Sequence, residues 1–323
     1  MAKDINALLS ELEPYRKSDP LRYLKDLAAA IDVTQPDFRF LRAEILHGLS
    51  TKLQSAARVC DFCDEIVVRP QGVFVNIGGV LMESSRTGIY LKASGSAQAS
   101  QASQLARTLN RFEVDVRTIV DIGANFGEIS LGLAREFPRA RIVAVEPSAD
   151  NATIFEINRT AQSFAVDRVE LVRAAIADQP GTVMMTRGQG GMTRVVETGS
   201  QTATESVTCE RLDGLLDRLG ITDADFVKID IEGGEPKLRE AMLALGRRVH
   251  AYYIEFSQFA PLAEYLSLAA ALTGLGFKCF DDAAQVELDS LPEIEHHLGR
   301  AFEAGPMAVT NLWFVRKSRQ TAN

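Results

Sequence analysis

From residue 117 onwards, short apolar segments alternate with segments that carry one apolar face. The first pair is a β-branched run at residues 118–120, followed by apolar positions at helical spacing from Phe126 to Phe137. Further strand patterns occur at residues 141–145, 169–173, 225–231 and 249–256. Buried strands that alternate with amphipathic helices predict an α/β fold with a mostly parallel sheet.

The pattern changes once within this part of the chain. After the third strand, where a helix would be expected, residues 182–186 and 206–209 predict a pair of strands. Residues 188–205 between them are polar and glycine-rich, so they form either a lid over a bound molecule or a surface hairpin.

The first 95 residues carry a different pattern. Residues 3–57 repeat apolar positions at helical spacing, whereas residues 65–92 contain short β-branched runs around a Gly78-Gly79 turn. They predict helices followed by a small antiparallel sheet. Residues 93–103, low in complexity, are expected to be a mobile linker that runs into a helix. We therefore expect an N-terminal α+β accessory region at 1–95 and a main domain at 96–323.

The segment from residue 117 to 133 combines a strand, a glycine turn and a helix. Gly123 and Gly127 lie in the turn, and Asp121 ends the strand. This is the nucleotide-binding corner of doubly wound α/β folds. Neither the Gly-Lys-Ser/Thr of phosphate-binding loops nor the dinucleotide pattern GxGxxG is present.

Two acids at the ends of successive strands suggest which nucleotide binds. Asp121 would repel a pyrophosphate, but it favours the ammonium and sulfonium of S-adenosylmethionine. Glu146 lies about 20 residues past the glycine turn, where an acid binds ribose hydroxyls, and Pro147 restricts its backbone. Alternatively, Asp121 only stabilises the turn and Glu146 is a solvated acid; together they favour S-adenosylmethionine.

Several motifs in a fixed order resemble the FkbM-type methyltransferase family. They are TIVDIGANFG, VAVEPSADN, the following Asn158, LVRAAIADQPGTV, Leu212-Asp213 and FVKIDIEGGE. The resemblance implies a class I methyltransferase (Rossmann-like) fold, with a seven-stranded sheet that ends in an antiparallel hairpin. Residues 277–280 and 311–315 suit that hairpin, with a helix near residues 294–302 between them. The resemblance also implies O-methylation of a hydroxyl on a sugar, a glycan or a secondary metabolite.

The expected site residues follow from these motifs. Small side chains at the end of the third strand, including Ala175, would leave room for the adenine ring or simply pack tightly. The expected cofactor-binding residues are Asp121, Gly123, Ala124, Asn125, Gly127, Glu146, Pro147, Ala175 and Asp230.

The fourth strand ends in a cluster of charged residues suited to catalysis. A hydroxyl acceptor must lose a proton, which requires a general base or a metal ion. The candidate catalytic residues are Lys228, Asp230, Glu232 and Glu235. We favour a metal-free base because Lys228 supplies a cation and no histidine joins the cluster. Glu255 and His250 on the fifth strand are the next candidates, and a buried Lys228–Asp230 ion pair is the structural alternative.

Composition and charge limit the partners, the location and the metal sites that we expect. The net charge of −8 argues against nucleic acid as an obligatory partner, and no apolar run reaches the ~20 residues that span a membrane. We expect a cytoplasmic protein, with a homo-oligomer compatible with the sequence. Cys60 and Cys63 form a lone CxxC, for which reduced thiols are favoured over a zinc site. An NAD-dependent sugar-nucleotide enzyme and a non-catalytic scaffold that binds S-adenosylmethionine remain the competing functions.

Overall fold

A computed structural model describes residues 65–69, 72–83, 97–186, 195–196, 204–305 and 308–316. The chain divides into two compact units, Met1–Ser100 and Gln101–Asn323, which we describe separately. The predicted helices at residues 3–57, the CxxC pair and most of the segment 188–205 lie outside the described residues.

The first unit contains a three-stranded antiparallel sheet. Its strands are β1 (Glu65–Arg69), β2 (Gly72–Ile77) and β3 (Val80–Glu83), with β2 in the middle. Gly78 and Gly79 both have positive φ angles, as a tight turn between β2 and β3 requires. The third strand thus follows directly after the two glycines, and the strand pattern expected at residues 88–91 lies outside the described residues.

Helix α1 (Ala97–Arg111) corrects the predicted linker, because residues 97–103 are helical. Ala102, Leu105 and Leu109 are buried on one face of this helix. A Cβ on Gly132 would lie 2.4 Å from the Cβ of Ala102, so small side chains let the two helices approach closely. Alanine and glutamine favour helices, and the serines in this segment concealed that preference.

The remaining strands of the second unit are β4 (Thr118–Ile122), β5 (Arg141–Val145), β6 (Val169–Val172), β7 (Ala175–Ile176), β8 (Gly181–Thr186), β9 (Val195–Val196), β10 (Thr204–Glu210), β11 (Ala224–Ile229), β12 (Val249–Ser257), β13 (Lys278–Phe280), β14 (Glu287–Leu288) and β15 (Val309–Val315). The remaining helices are α2 (Glu128–Glu136), α3 (Ala149–Thr160), α4 (Leu212–Arg218), α5 (Arg239–Leu245), α6 (Leu262–Gly274) and α7 (Leu291–Phe302), with single 3-10 turns at Glu235–Leu238 and Gly246–Arg248.

The main sheet has the order β14-β13-β15-β12-β11-β4-β5-β6. Strands β12, β11, β4, β5 and β6 are parallel, and β15 runs antiparallel between β12 and β13. This is the class I methyltransferase arrangement implied by the resemblance, with the predicted antiparallel pair at the C-terminal end. The two-residue strand β14 pairs with β13 and makes the described sheet eight-stranded rather than seven-stranded.

A second, four-stranded sheet has the order β7-β10-β8-β9. It contains the predicted strand pair, since β8 and β10 are antiparallel from Gly181 to Thr186. Ala175 belongs to this sheet: β7 pairs with β10 rather than continuing β6. The third strand of the main sheet is therefore shorter than predicted.

Helices cover both faces of the main sheet. One large hydrophobic core joins the sheet to buried residues of α4, α5, α6 and α7. On the other face, α2 contacts β5 and β6, and α3 contacts β6. No described helix is both long enough and apolar enough to cross a membrane.

Candidate cofactor and active site

Two neighbouring parallel strands bring a lysine and two acids together. The register places Lys228 on β11 directly opposite Asp121 on β4. Its Nζ lies 3.0 Å from Asp230 Oδ2 and 3.6 Å from Asp121 Oδ1. Burial alone would lower the pKa of Lys228, but the charges of Asp230 and Asp121 outweigh it and raise the pKa. Lys228 is therefore a permanent cation at the centre of this group.

Gly123 lets the ends of β4 and β11 approach each other. Its φ angle is +80°, and a Cβ there would lie only 1.8 Å from the backbone oxygen of Asp230. The amide of Asp230 in turn donates to the carbonyl of Ile122 at 3.1 Å. We expected glycine here to admit a ligand; the structure gives it a second task, which is to admit the protein's own backbone.

The remainder of the glycine turn is also closely packed. Gly127 has a φ angle of +94°, and a Cβ there would lie 2.9 Å from the ring of Phe155. The side-chain amide of Asn158 donates to the carbonyl of Phe126 at 2.8 Å. Asn158, which belongs to the sequence motifs, thus holds the turn in place. The amide of Ala124 donates to the Val145 carbonyl, which ties the turn to β5.

Glu146 ends β5 and is 5% exposed. Its Oε2 accepts from the amide of Asn125 at 2.9 Å, and its Oε1 accepts from the Ser148 amide and the Asn151 side chain. Burial raises the pKa of Glu146 to about 7, against these hydrogen bonds. Because a carboxylate has about four acceptor positions, Oε2 can still accept from one ribose hydroxyl. Pro147 follows it and leads into Ser148, the N-cap of α3.

Three buried acceptor atoms near the end of β4 have no hydrogen-bond donor among the described residues. They are Asp121 Oδ1, Asn125 Oδ1 and Glu128 Oε1. The other oxygen of Asp121 accepts from the Ser130 hydroxyl at 2.6 Å. Buried acceptors without donors cost free energy, so a ligand with N–H or O–H groups fits this place. S-adenosylmethionine, which carries an ammonium and ribose hydroxyls, meets that requirement.

Glu128 is a further candidate for the site that the sequence motifs do not single out. It follows Gly127 as the first residue of α2, and burial raises its pKa to about 7. An acid at the start of a helix is common because it interacts well with the helix dipole. The acid is therefore visible in the sequence motif, but its position at a helix start does not by itself indicate a binding role.

The Glu235 side chain is turned inward and bonds to the turn that follows β11. Its Oε1 accepts from the amide of Ile231 at 2.7 Å and that of Gly233 at 3.4 Å. Its Oε2 accepts from the Tyr265 hydroxyl at 3.1 Å, and only 1% of the residue is exposed. Burial raises the pKa of Glu235 to about 7. This carboxyl group stabilises the turn that follows β11.

The turn presents two further acids. Glu232 adopts a left-handed backbone conformation with a φ angle of 57°, which is uncommon for a residue with a side chain. The Asp230 side chain is 32% exposed, in contrast to the buried Lys228 beside it. Asp230 is thus the member of this group that can contact a second substrate.

The two further candidates for the base, Glu255 and His250, lie at opposite ends of β12. Glu255 lies near the carboxyl end of β12, where burial and the charges of Asp230, Glu232 and Glu235 raise its pKa well above the usual range. His250 lies at the other end of the same strand, five residues and roughly 17 Å away. Glu255 therefore belongs to the acidic group, and His250 does not.

Ala175 faces a different core. Its side chain packs with Met185, Val207 and Cys209 in the second sheet. That packing accounts for the small side chain without an adenine ring. Among the described residues, no group of three His, Cys, Asp or Glu side chains is arranged to hold a metal ion.

Comparisons with known proteins give one family and a set of distant structures. Residues 121–279 match the family model described as "Methyltransferase FkbM domain". A comparison with curated protein sequences gives no match.

Three of the matching solved structures are described as methyltransferases, and all three have low identity to this chain. Precorrin-6y C5,15-methyltransferase from Geobacter metallireducens is 13% identical, with 68% of this chain and 87% of that chain covered and a TM-score of 0.36. The plantazolicin methyltransferase BpumL is 10% identical, covering 83% and 98%, with a TM-score of 0.41. The METTL16 methyltransferase domain is 11% identical, covering 82% and 92%, with a TM-score of 0.42. At such scores the fold assignment rests on the strand order of the sheet itself.

Proposed function

We propose an O-methyltransferase function for this chain, whose residues 121–279 belong to the methyltransferase FkbM domain family. The family match confirms the resemblance drawn from the sequence motifs. It also favours methyl transfer over the alternative of an NAD-dependent enzyme. The chain is thus a methyltransferase with S-adenosylmethionine as its cofactor; the oxygen acceptor and the site residues are our proposal.

We assign the cofactor to the carboxyl ends of β4 and β5. Glu146 would accept from the ribose, and the glycine turn from residue 123 to 127 would line the cofactor. Asp121, 0% exposed and with one oxygen lacking a donor, would face its positive charge. When bound, S-adenosylmethionine supplies an electrophilic methyl group and leaves as S-adenosylhomocysteine.

We assign an oxygen acceptor chiefly because of the position of Asp230. It is partly exposed, lies beside the cofactor end of the sheet, and is fixed by Lys228 Nζ at 3.0 Å. In our proposal its carboxylate accepts the hydroxyl proton as the acceptor oxygen is aligned for attack. Glu255 lies close enough to Asp230 and Glu232 for their charges to raise its pKa, so the three acids form one negatively charged group.

Lys228 and Glu235 have supporting roles in this account. Lys228 Nζ lies 3.0 Å from Asp230 Oδ2 and 3.6 Å from Asp121 Oδ1, so we assign it to fixing the orientation of Asp230. Glu235 keeps the turn after β11 in shape through the amides of Ile231 and Gly233. We therefore replace the expected catalytic role of these two residues with a positioning role.

We propose the class of acceptor from the family resemblance and from the charge near Asp230. A hydroxyl of a sugar, a glycan or a secondary metabolite is proposed because the motifs resemble those of a family with such substrates. The acidic rim formed by Asp230, Glu232 and Glu255 suits a neutral polyol better than an anionic acceptor, since like charges repel.

The test of this proposal is turnover to S-adenosylhomocysteine with a panel of sugar acceptors. We expect Asp230→Asn and Glu232→Gln each to lower turnover by roughly 10²–10⁴-fold while S-adenosylhomocysteine still binds. Glu264→Gln, in the first turn of α6, is a matched control that should keep wild-type turnover. If neither site variant slows the reaction, Asp230 and Glu232 do not supply the base.

A chelator separates the two ways of removing the proton. The metal-free base predicts unchanged turnover after treatment with EDTA. Loss of activity that magnesium restores would instead show that a divalent ion acidifies the hydroxyl. A protein that binds the cofactor but turns over no acceptor in the panel would favour the scaffold alternative.

A further inference from the structure

Glu128 is a half-buried acid that the proposed reaction does not use. It is the first residue of α2, and its Oε1 is inaccessible to solvent with no hydrogen-bond donor among the described residues. The charged groups that face it are Asp121 from β4, Glu146 from the end of β5 and Lys228 from β11. We propose that Glu128, together with Asp121, binds the ammonium group of the methionine part of S-adenosylmethionine. This inference rests on the proposed cofactor site.

A role in the helix alone does not account for the geometry. An acid in the first turn stabilises the helix dipole even when its oxygens face water, so that role does not require a buried oxygen without a donor. Burying an oxygen without a donor instead costs about 1–3 kcal/mol. Such a cost is expected where a ligand supplies the missing donor.

The acidic side chains around Glu128 and Lys228 also favour binding of a second cation. Acidic side chains outnumber lysine at this place. Lys228 interacts with Asp121, Asp230 and Glu255, and Glu128 interacts with Asp121 and Glu146 as well as with Lys228. Lys228 contacts Asp230 at 3.0 Å and Asp121 at 3.6 Å, so it is already shared between two of them. A second cation near Glu128 would balance the group.

The ammonium fits better than the other parts of the cofactor. Its three N–H groups can donate to both Asp121 Oδ1 and Glu128 Oε1, which lack donors. The sulfonium is also positive, but it carries no N–H or O–H, so it cannot satisfy a buried acceptor. The ribose hydroxyls are already assigned to Glu146.

Three ligands separate these possibilities by calorimetry. S-adenosylmethionine has both the ammonium and the sulfonium, S-adenosylhomocysteine keeps only the ammonium, and 5′-methylthioadenosine lacks the whole amino-acid part. We expect Glu128→Gln to weaken the first two by a similar factor, roughly 10- to 150-fold, as for a hydrogen bond to a charged group. Binding of 5′-methylthioadenosine should stay within about twofold.

Two control variants test whether the change in affinity is specific to Glu128. Glu136→Gln, at the exposed end of the same helix, should leave all three affinities unchanged. Glu146→Gln should weaken all three ligands, because each contains the ribose. Glu128→Ala serves as a second variant if the glutamine variant is unstable, with the same selectivity expected.

Several results would overturn the inference. Equal weakening of 5′-methylthioadenosine would show that Glu128 only maintains the fold of the pocket. Weakening of S-adenosylmethionine alone would assign Glu128 to the sulfonium, and unchanged binding would remove it from the site. If the wild-type protein binds neither S-adenosylmethionine nor S-adenosylhomocysteine, the proposed function itself fails, and the inference fails with it.

Discussion

Replacing Gly123 by alanine tests whether the ends of β4 and β11 must lie as close as the structure shows. The new Cβ would be 1.8 Å from the Asp230 carbonyl oxygen, whereas real Cβ contacts stay above 3.0 Å. The strand ends would therefore have to move apart by at least about 1.2 Å. Because Asp230 follows β11 directly, this movement would displace the proposed base.

Gly220 offers a matched control. It also has a positive φ angle, +66°, but a Cβ there would meet nothing within 4 Å. Alanine in the left-handed region costs about 1–2 kcal/mol, partly offset by a less flexible unfolded chain. We expect Gly220→Ala to lower the free energy of unfolding by about 1 kcal/mol and to leave turnover unchanged.

Gly123→Ala should have a larger effect on both quantities. The clash adds an overpacking cost, so we expect a loss of about 2–4 kcal/mol in urea denaturation. Turnover should fall by roughly 10²-fold, the usual consequence of a misplacement of about 1 Å. If Gly123→Ala is as mild as Gly220→Ala in both measurements, the close approach at Asp230 is not needed, and our account of this glycine is wrong.

Two further predictions concern pH and the N-terminal region. Burial raises the pKa of Glu128, Glu146 and Glu235 to about 7. The folded state therefore binds more protons than the unfolded state between pH ~4.5 and ~7. As a result, the free energy of unfolding should fall as the pH rises through that window. Denaturation of wild type and Glu146→Gln across these pH values should show a shallower decline in the variant; identical profiles would contradict the shift. We also propose that residues 1–95 shape acceptor access or assembly, so a chain starting at residue 96 should still bind S-adenosylhomocysteine. A folded chain of that length without binding would refute this division.

Sequence periodicity identified the elements that local composition determines. The β-branched runs predicted β4, β5 and β11, and the structure contains these three strands. The prediction worked because a buried parallel strand requires apolar side chains and ends where polar ones begin. The roles of the acids at these strand ends, Asp121, Glu146 and Asp230, stay predictions. Helix α1 was missed in part, because the serines of residues 93–103 resemble a linker until the packing of Ala102 on Gly132 is known.

The details of the site depend on contacts between distant segments. Gly123 was assigned to ligand approach because its neighbour, the Asp230 carbonyl, lies more than a hundred residues away in the chain. The sequence does not show which way the Glu235 side chain turns. Its hydrogen bonds to the turn and to Tyr265 appear only once α6 packs against that turn.

The most direct measurement of the central claim is a calorimetric titration of the wild-type protein with S-adenosylhomocysteine and, separately, with NAD. The acids at the ends of β4 and β5 should favour the ammonium-bearing ligand and disfavour a pyrophosphate. We expect saturable, one-to-one binding of S-adenosylhomocysteine and no comparable binding of NAD. Saturable binding of NAD without binding of S-adenosylhomocysteine would contradict the account.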